Sequence, residues 1–164
     1  MMSSVEVKSF LTQKIKIKKK FSKDEFDFYH FFLEITDVHP DNVIFMPPYV
    51  FFFAENENYY KGKRKLKTVR KLLANKKVMI IKTEPTLIRL LFSLFPDTYI
   101  HDILLDIKEN GTKQITIEFY FYEDRAIAVG RKGTYIKTIN RIFNERIYLE
   151  NKCTPIEIRC HSIN

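Results

Sequence analysis

The chain has only four glycines in 164 residues, and two of them stand three apart in Gly130-Arg131-Lys132-Gly133. Glycine adopts positive φ without penalty but weakens the interior of helices and strands, so a chain this sparing places it where the backbone demands it. A third, Gly111, follows Asn110 between two strand-like runs. Asn-Gly is the strongest short hairpin signal, because a two-residue turn needs positive φ at its centre. These positions predict a hairpin, a short helix, a Gly-basic-basic-Gly corner and an amphipathic helix in succession.

The flanks complete the pattern. Thr83-Glu84-Pro85 opens a helix in which Leu87, Leu90, Leu91 and Leu94 recur at helical spacing, and Pro96 stops it. Two strands are expected at Ile100–Ile107 and Gln114–Tyr122. In the second, Ile115, Ile117, Phe119 and Phe121 alternate with Thr116, Glu118, Tyr120 and Tyr122. Asp124 is expected to cap the short helix ending at Val129, and Thr134 the next one. Along that helix Ile136, Ile139, Ile142 and Phe143 line one side, with Lys137 and Arg141 on another. Ile147–Glu150 and Pro155–Cys160 supply closing strand material. No internal repeat is legible, so the expected organisation is a basic N-terminal extension over 1–83 and one domain over 84–164.

In the extension, the Ile/Lys alternation of Lys14–Lys20 suits either an edge strand with a cationic face or an arm that orders on a polyanion. Asp24–Ile35 reads as a buried helix. Val43–Phe53 is β-like, and Pro47-Pro48 argues for an edge or a broken strand. Lys61–Lys77 contains no acid, and Leu66, Val69 and Leu73 can form one buried helical stripe. Lys63, Arg64, Lys67, Arg70 and Lys71 are then left to contact phosphate. Lys77–Lys82 reads as a short buried strand.

The formal net charge is +8, and residues 1–83 hold 17 Lys/Arg against 9 Asp/Glu, whereas 84–164 hold 11 of each. So lopsided a basic balance points to a polyanionic partner for the first half. The apolar stretches are too short to cross a membrane, and the densest, Val43–Ala54, is broken by its prolines. Cys153 and Cys160 lack a CxxC spacing and read as free thiols in a reducing compartment. His161 lacks the further spaced ligands a metal would need, and no cofactor is indicated. His30, His39, His101 and His161 pair with no nucleophile, and His101 and Asp102, as strand neighbours, should face opposite ways. No catalytic set is therefore read, and GxxxxGK[ST], the nucleotide-hydrolysis motif, is absent. Heavy use of Phe, Ile, Lys, Asn and Tyr implies AT-rich codons.

The order helix, strand, strand, helix, GXXG, helix, strand over 86–160 resembles the type II KH domain, an α+β fold. Leu87–Glu109 and Ile147–Glu150 look like the C-terminal domain of the Era GTPases. Ala126–Gly133 is also similar to the KH-bearing protein of the small ribosomal subunit and to the transcription factor NusA. The resemblance implies RNA binding by Gly130, Arg131, Lys132 and Gly133, with backbone amides approaching phosphate at a helix N-terminus. Arg125, Lys137 and Arg141 would flank the groove, and Ile127 and Ile136 would floor it.

The expected function is an rRNA-binding structural component of the small subunit of an organelle ribosome, mitochondrial ahead of plastid, otherwise cytoplasmic. Its expected partners are small-subunit rRNA and neighbouring ribosomal proteins, not a membrane or a nucleotide. The rivals are a free KH factor for ribosome assembly or transcription elongation, and a protein-interaction module displaying Phe51, Phe52, Phe53, Tyr59 and Tyr60.

Overall fold

The chain, described at residues 2–150 and 155–164 of a computed structural model, begins with helix α1 (Ser4–Leu11) and strand β1 (Ile15–Ile17). Residues up to Lys18 belong with Pro85–Asn164 in one unit, and Lys19–Glu84 form another. Both are α+β. The expected extension over 1–83 is thus divided, its first 18 residues joining the unit that holds the Gly130–Gly133 corner. Divided this way, the chain also spreads its positive charge evenly. Lys19–Glu84 carry 13 basic against 9 acidic residues and the other unit 15 against 11, so each is basic by four.

In Lys19–Glu84, a capping box starts α2 (Lys23–Thr36): Ser22 Oγ accepts the Glu25 amide at 3.1 Å and Glu25 Oε1 accepts the Ser22 amide at 2.9 Å. The helix is amphipathic rather than buried all round. Glu25, Phe32 and Thr36 are enclosed, while Phe26 is 53% exposed. Strands β2 (Asn42–Met46) and β3 (Tyr49–Ala54) pair antiparallel, and β3 pairs parallel with β4 (Lys77–Lys82). The two prolines break the expected strand into β2, at the edge of the sheet, and β3, at its centre, and form the hairpin turn between them. All six residues of central strand β3 are buried, as its unbroken apolar run requires. Helices α3 (Asn56–Arg64) and α4 (Leu66–Leu72) make the crossover. The single helix expected over 61–77 is broken at Lys65, where φ is −98° and ψ 5°. Only Val69 of the expected stripe is fully buried, and it joins Phe32, Val43, Val50, Phe52, Val78 and Ile80 in the core. Phe32 stacks on Phe52 with centroids 4.3 Å apart.

The other unit continues with α5 (Leu87–Ser93), β5 (Ile100–Ile107), β6 (Lys113–Phe119), α6 (Tyr122–Val129), α7 (Thr134–Glu145), β7 (Ile147–Leu149) and β8 (Ile156–Ser162). Strands β5 and β6 are antiparallel, β6 and β8 parallel, and β1 pairs antiparallel with β7 in a separate ribbon. Leu87, Leu90, Leu91 and Leu94 are all fully buried, as their spacing requires. Helix, two antiparallel strands, two helices and a parallel third strand is also the order of Lys19–Glu84. The chain repeats one topology twice, a duplication its residues do not betray.

The hairpin between β5 and β6 is longer than the Asn-Gly pair implied. The Gly111 amide donates to Lys108 O at 2.9 Å, and the Lys108 amide to Thr112 O at 2.8 Å. Among the turn residues only Gly111 takes positive φ, at 86°, while Asn110 Oδ1 accepts the Thr112 amide at 3.0 Å. This is a turn with a bulge glycine. Gly111→Val should destabilise by on the order of 1 kcal/mol or more, lowering Tm by about 2–4 °C, whereas Gly111→Asn should cost much less. Equal melting of both variants and the parent would contradict this turn. Strand β6 ends at Phe119, so Phe121, expected on its inner face, is 52% exposed.

Candidate nucleic-acid interface

The exit from β6 sets the corner. Phe121, not Asp124, occupies the N-cap of α6, with Glu123 and Asp124 in the first turn, where carboxylates suit the helix dipole. The helix stops at Gly130, with φ 79° and ψ 168°, a region essentially reserved for glycine. A Cβ there would lie 2.8 Å from both Cβ and N of Tyr135. Gly130 thus lets Tyr135 close in, so its missing Cβ makes room for the protein's own core rather than for a ligand. Tyr135 is buried, its hydroxyl donates to Leu94 O, and its ring meets Phe95 edge-on at 5.9 Å.

Beyond Gly130 a single 3-10 turn spans Arg131–Gly133. Lys132 (φ 57°) and Gly133 (φ 72°) are both left-handed, and the Gly133 amide donates to Gly130 O at 3.1 Å. Gly133, not Thr134, is the N-cap of α7, and the Thr134 hydroxyl instead donates to Arg131 O at 2.8 Å. A Cβ on Gly133 would meet only Lys137 Cε at 3.7 Å, so its side remains open.

Arg131 and Lys132 are exposed at the start of the 12-residue α7, and Ala126 and Ile127 are exposed on the preceding helix. Lys137 is exposed one turn into α7. Arg125 Nε donates to Cys160 O at 3.4 Å, so this side chain ties α6 to β8. Arg141 pairs with Glu145 at 3.3 Å, which offsets its charge. Of the expected helix stripe Ile139, Ile142 and Phe143 are buried, with Tyr135 and Thr138 beside them, while Ile136 is only half-buried. Asn140 was not foreseen as a site residue: its side chain bonds both the Ile158 amide (2.8 Å) and carbonyl (2.9 Å). A mid-helix Asn, poor in propensity, is itself a signal of such a tertiary partner.

Desolvation by burial pushes the Cys160 thiol up to about 12, with Arg125 opposing, so it stays protonated at neutral pH. Cys153 lies outside the described residues. The β5 ladder is irregular between Ile100 and Asp102, so the strict alternation expected of His101 and Asp102 does not hold and both are exposed. Asp102 accepts the Ile103 amide at 2.8 Å.

In Lys19–Glu84 the corresponding corner between helices has no glycine pair. Gly62 is buried within α3, where an added Cβ would lie 3.0 Å from Phe32 Cζ. Lys63, Arg64, Lys67, Arg70 and Lys71 are all exposed. Arg70 differs from the rest, because Nε and a terminal nitrogen donate to Val78 O at 3.4 and 3.2 Å, fastening α4 to β4. Lys63 lies over the Tyr59 ring at 5.5 Å. Phe51, Phe52 and Phe53 are fully buried and cannot present a docking surface.

No family model and no curated protein matches the chain. Its fold is similar to that of the crystal structure of APE1850, with a TM-score of 0.59 and 21% identity over 85% of this chain and 100% of that one.

Proposed function

We propose that the chain binds single-stranded RNA through a type II KH-like groove formed by α6, the Gly130–Gly133 turn, α7 and β8. The observation that carries this reading is the turn itself. Two glycines with positive φ hold Arg131 and Lys132 in solvent at the N-terminus of α7, beside exposed Ile127. The helix dipole and two cations favour a phosphate there, and the apolar neighbour suits an unpaired base. The order α5, β5, β6, α6, glycine turn, α7 and β8 supports this reading, and Lys19–Glu84 repeat the topology without the glycine pair. That unit then contributes a basic face of Lys63, Arg64, Lys67 and Lys71, which reads charge and not sequence. The RNA we propose is rRNA of the small subunit of an organelle ribosome, bound as a resident component. A transient assembly or elongation factor is the alternative. No chemistry on the RNA is proposed.

Binding of one oligonucleotide, single-stranded and as a duplex, tests the reading, since bases must splay out to enter such a groove. Single strands should bind more tightly. Changing Lys63, Arg64, Lys67 and Lys71 to Ala should lower the slope of log K against log[salt] by up to about 3, at about 0.7 per phosphate contact. An unchanged slope would remove that face from the interface. Stoichiometric, salt-resistant co-sedimentation with a ribosomal subunit would favour the resident component, and salt-labile association the factor.

A further inference from the structure

The two-stranded ribbon of β1 and β7 has one face buried and one face exposed. In register, Ile15 opposes Leu149, Lys16 opposes Tyr148 and Ile17 opposes Ile147. Residues directly opposite in an antiparallel pair share a face. Ile15 and Ile147 are buried, with Ile17 and Leu149 half-buried, so this apolar set faces inward. Lys16 and Tyr148 therefore share the outer face, where Tyr148 is 56% exposed. Lys18 Nζ reaches back over the Tyr148 ring, 4.6 Å from its centroid. Lys14 is also exposed, and its amide donates to Glu150 Oε2 at the end of the ribbon at 3.2 Å. The ribbon thus presents a half-exposed aromatic ring that carries the Lys18 ammonium over one face and has Lys16 as its cross-strand neighbour.

We propose that this ribbon is a second RNA contact, in which one base stacks on Tyr148, the Lys18 ammonium swings from the ring to a flanking phosphate, and Lys16 takes another. Stacking on an aromatic face with a cation alongside is how single strands are held without regard to sequence. An acidic peptide would need the lysines but gain little from a flat exposed ring, whereas a nucleotide uses both. The ribbon follows the C-terminal end of α7, and the Gly130–Gly133 turn precedes its N-terminal end. Twelve helical residues separate them by about 18 Å, so a strand a few nucleotides long fills one contact and a longer one reaches both. The N-terminal segment thereby lengthens the groove of its own unit. This inference rests on the RNA-binding reading above.

The test compares a tetranucleotide with a dodecanucleotide of uridine on the full-length chain. Parent protein should bind the longer strand more tightly than site statistics allow. Tyr148→Ala should lose about five- to hundredfold on the dodecamer and nothing on the tetramer, while Tyr148→Phe keeps the gain. Lys16→Ala with Lys18→Ala should reduce the dodecamer's salt slope by about 1.4. Parental dodecamer binding by Tyr148→Ala and by the double lysine variant, with tetramer binding intact, overturns the ribbon and leaves the groove standing. If the parent binds neither oligonucleotide, the RNA-binding reading fails and the ribbon fails with it.

Discussion

Changing Arg131 and Lys132 to Asp is expected to weaken binding of short single-stranded RNA by on the order of a hundredfold or more, with Tm nearly unchanged. The binding loss follows from sign. Two attractive phosphate contacts become two like-charge juxtapositions, together about 3 kcal/mol or more in a partly desolvated groove. The fold should tolerate the change because both side chains are exposed. Lys132 sits at φ 57°, ψ 25°, a conformation Asp enters more readily than Lys, and acids near the start of α7 suit its dipole. Exposed substitutions of this kind shift stability by under about 0.5 kcal/mol. Binding at the parental level with an intact melt would mean that the turn is a corner and nothing more.

The two glycines of that turn should respond unequally to the same substitution. Gly130→Ala places a methyl 2.8 Å from the Tyr135 backbone nitrogen, in a φ/ψ region that side chains avoid. Strain and clash together should destabilise by about 2–4 kcal/mol, which lowers Tm by about 5–15 °C. Gly133→Ala meets only a flexible lysine methylene 3.7 Å away, so the cost is the left-handed backbone, about 1 kcal/mol. Paired thermal melts measure the difference. Equal losses would show that Tyr135 does not pack against Gly130 as described.

Local periodicity made one half of the chain readable. Leu87, Leu90, Leu91 and Leu94 had to share a buried face, and Ile115, Ile117 and Phe119 had to alternate, because nothing else hides them from water. The glycine corner was legible for the same reason, since positive φ leaves few residue choices. Tertiary facts were not. Pro47-Pro48 signal an edge or a broken strand, but only the pairing of β3 with both β2 and β4 shows that the break is a hairpin turn between an edge and a central strand. The partners of the Ile/Lys alternation in β1 lie 130 to 134 residues away in β7, beyond any local pattern. The repeated topology was hidden because Lys19–Glu84 have no glycine pair at their corner, closing it with buried Gly62 and a break at Lys65. Tyr135 and Arg70 carry roles set by contacts to Gly130 and Val78 that no spacing encodes.

Amide chemical shifts of the isotope-labelled chain, followed during titration with a short single-stranded RNA, test the proposed groove most directly. The expected perturbations centre on Arg131, Lys132, Gly133 and Lys137, extend to Ala126 and Ile127 on α6, and reach β8. Smaller shifts over Lys63–Lys71 would report the second basic face. Shifts confined to Lys63–Lys71, with residues 125–137 unmoved at saturation, would contradict a groove built on the Gly130–Gly133 turn.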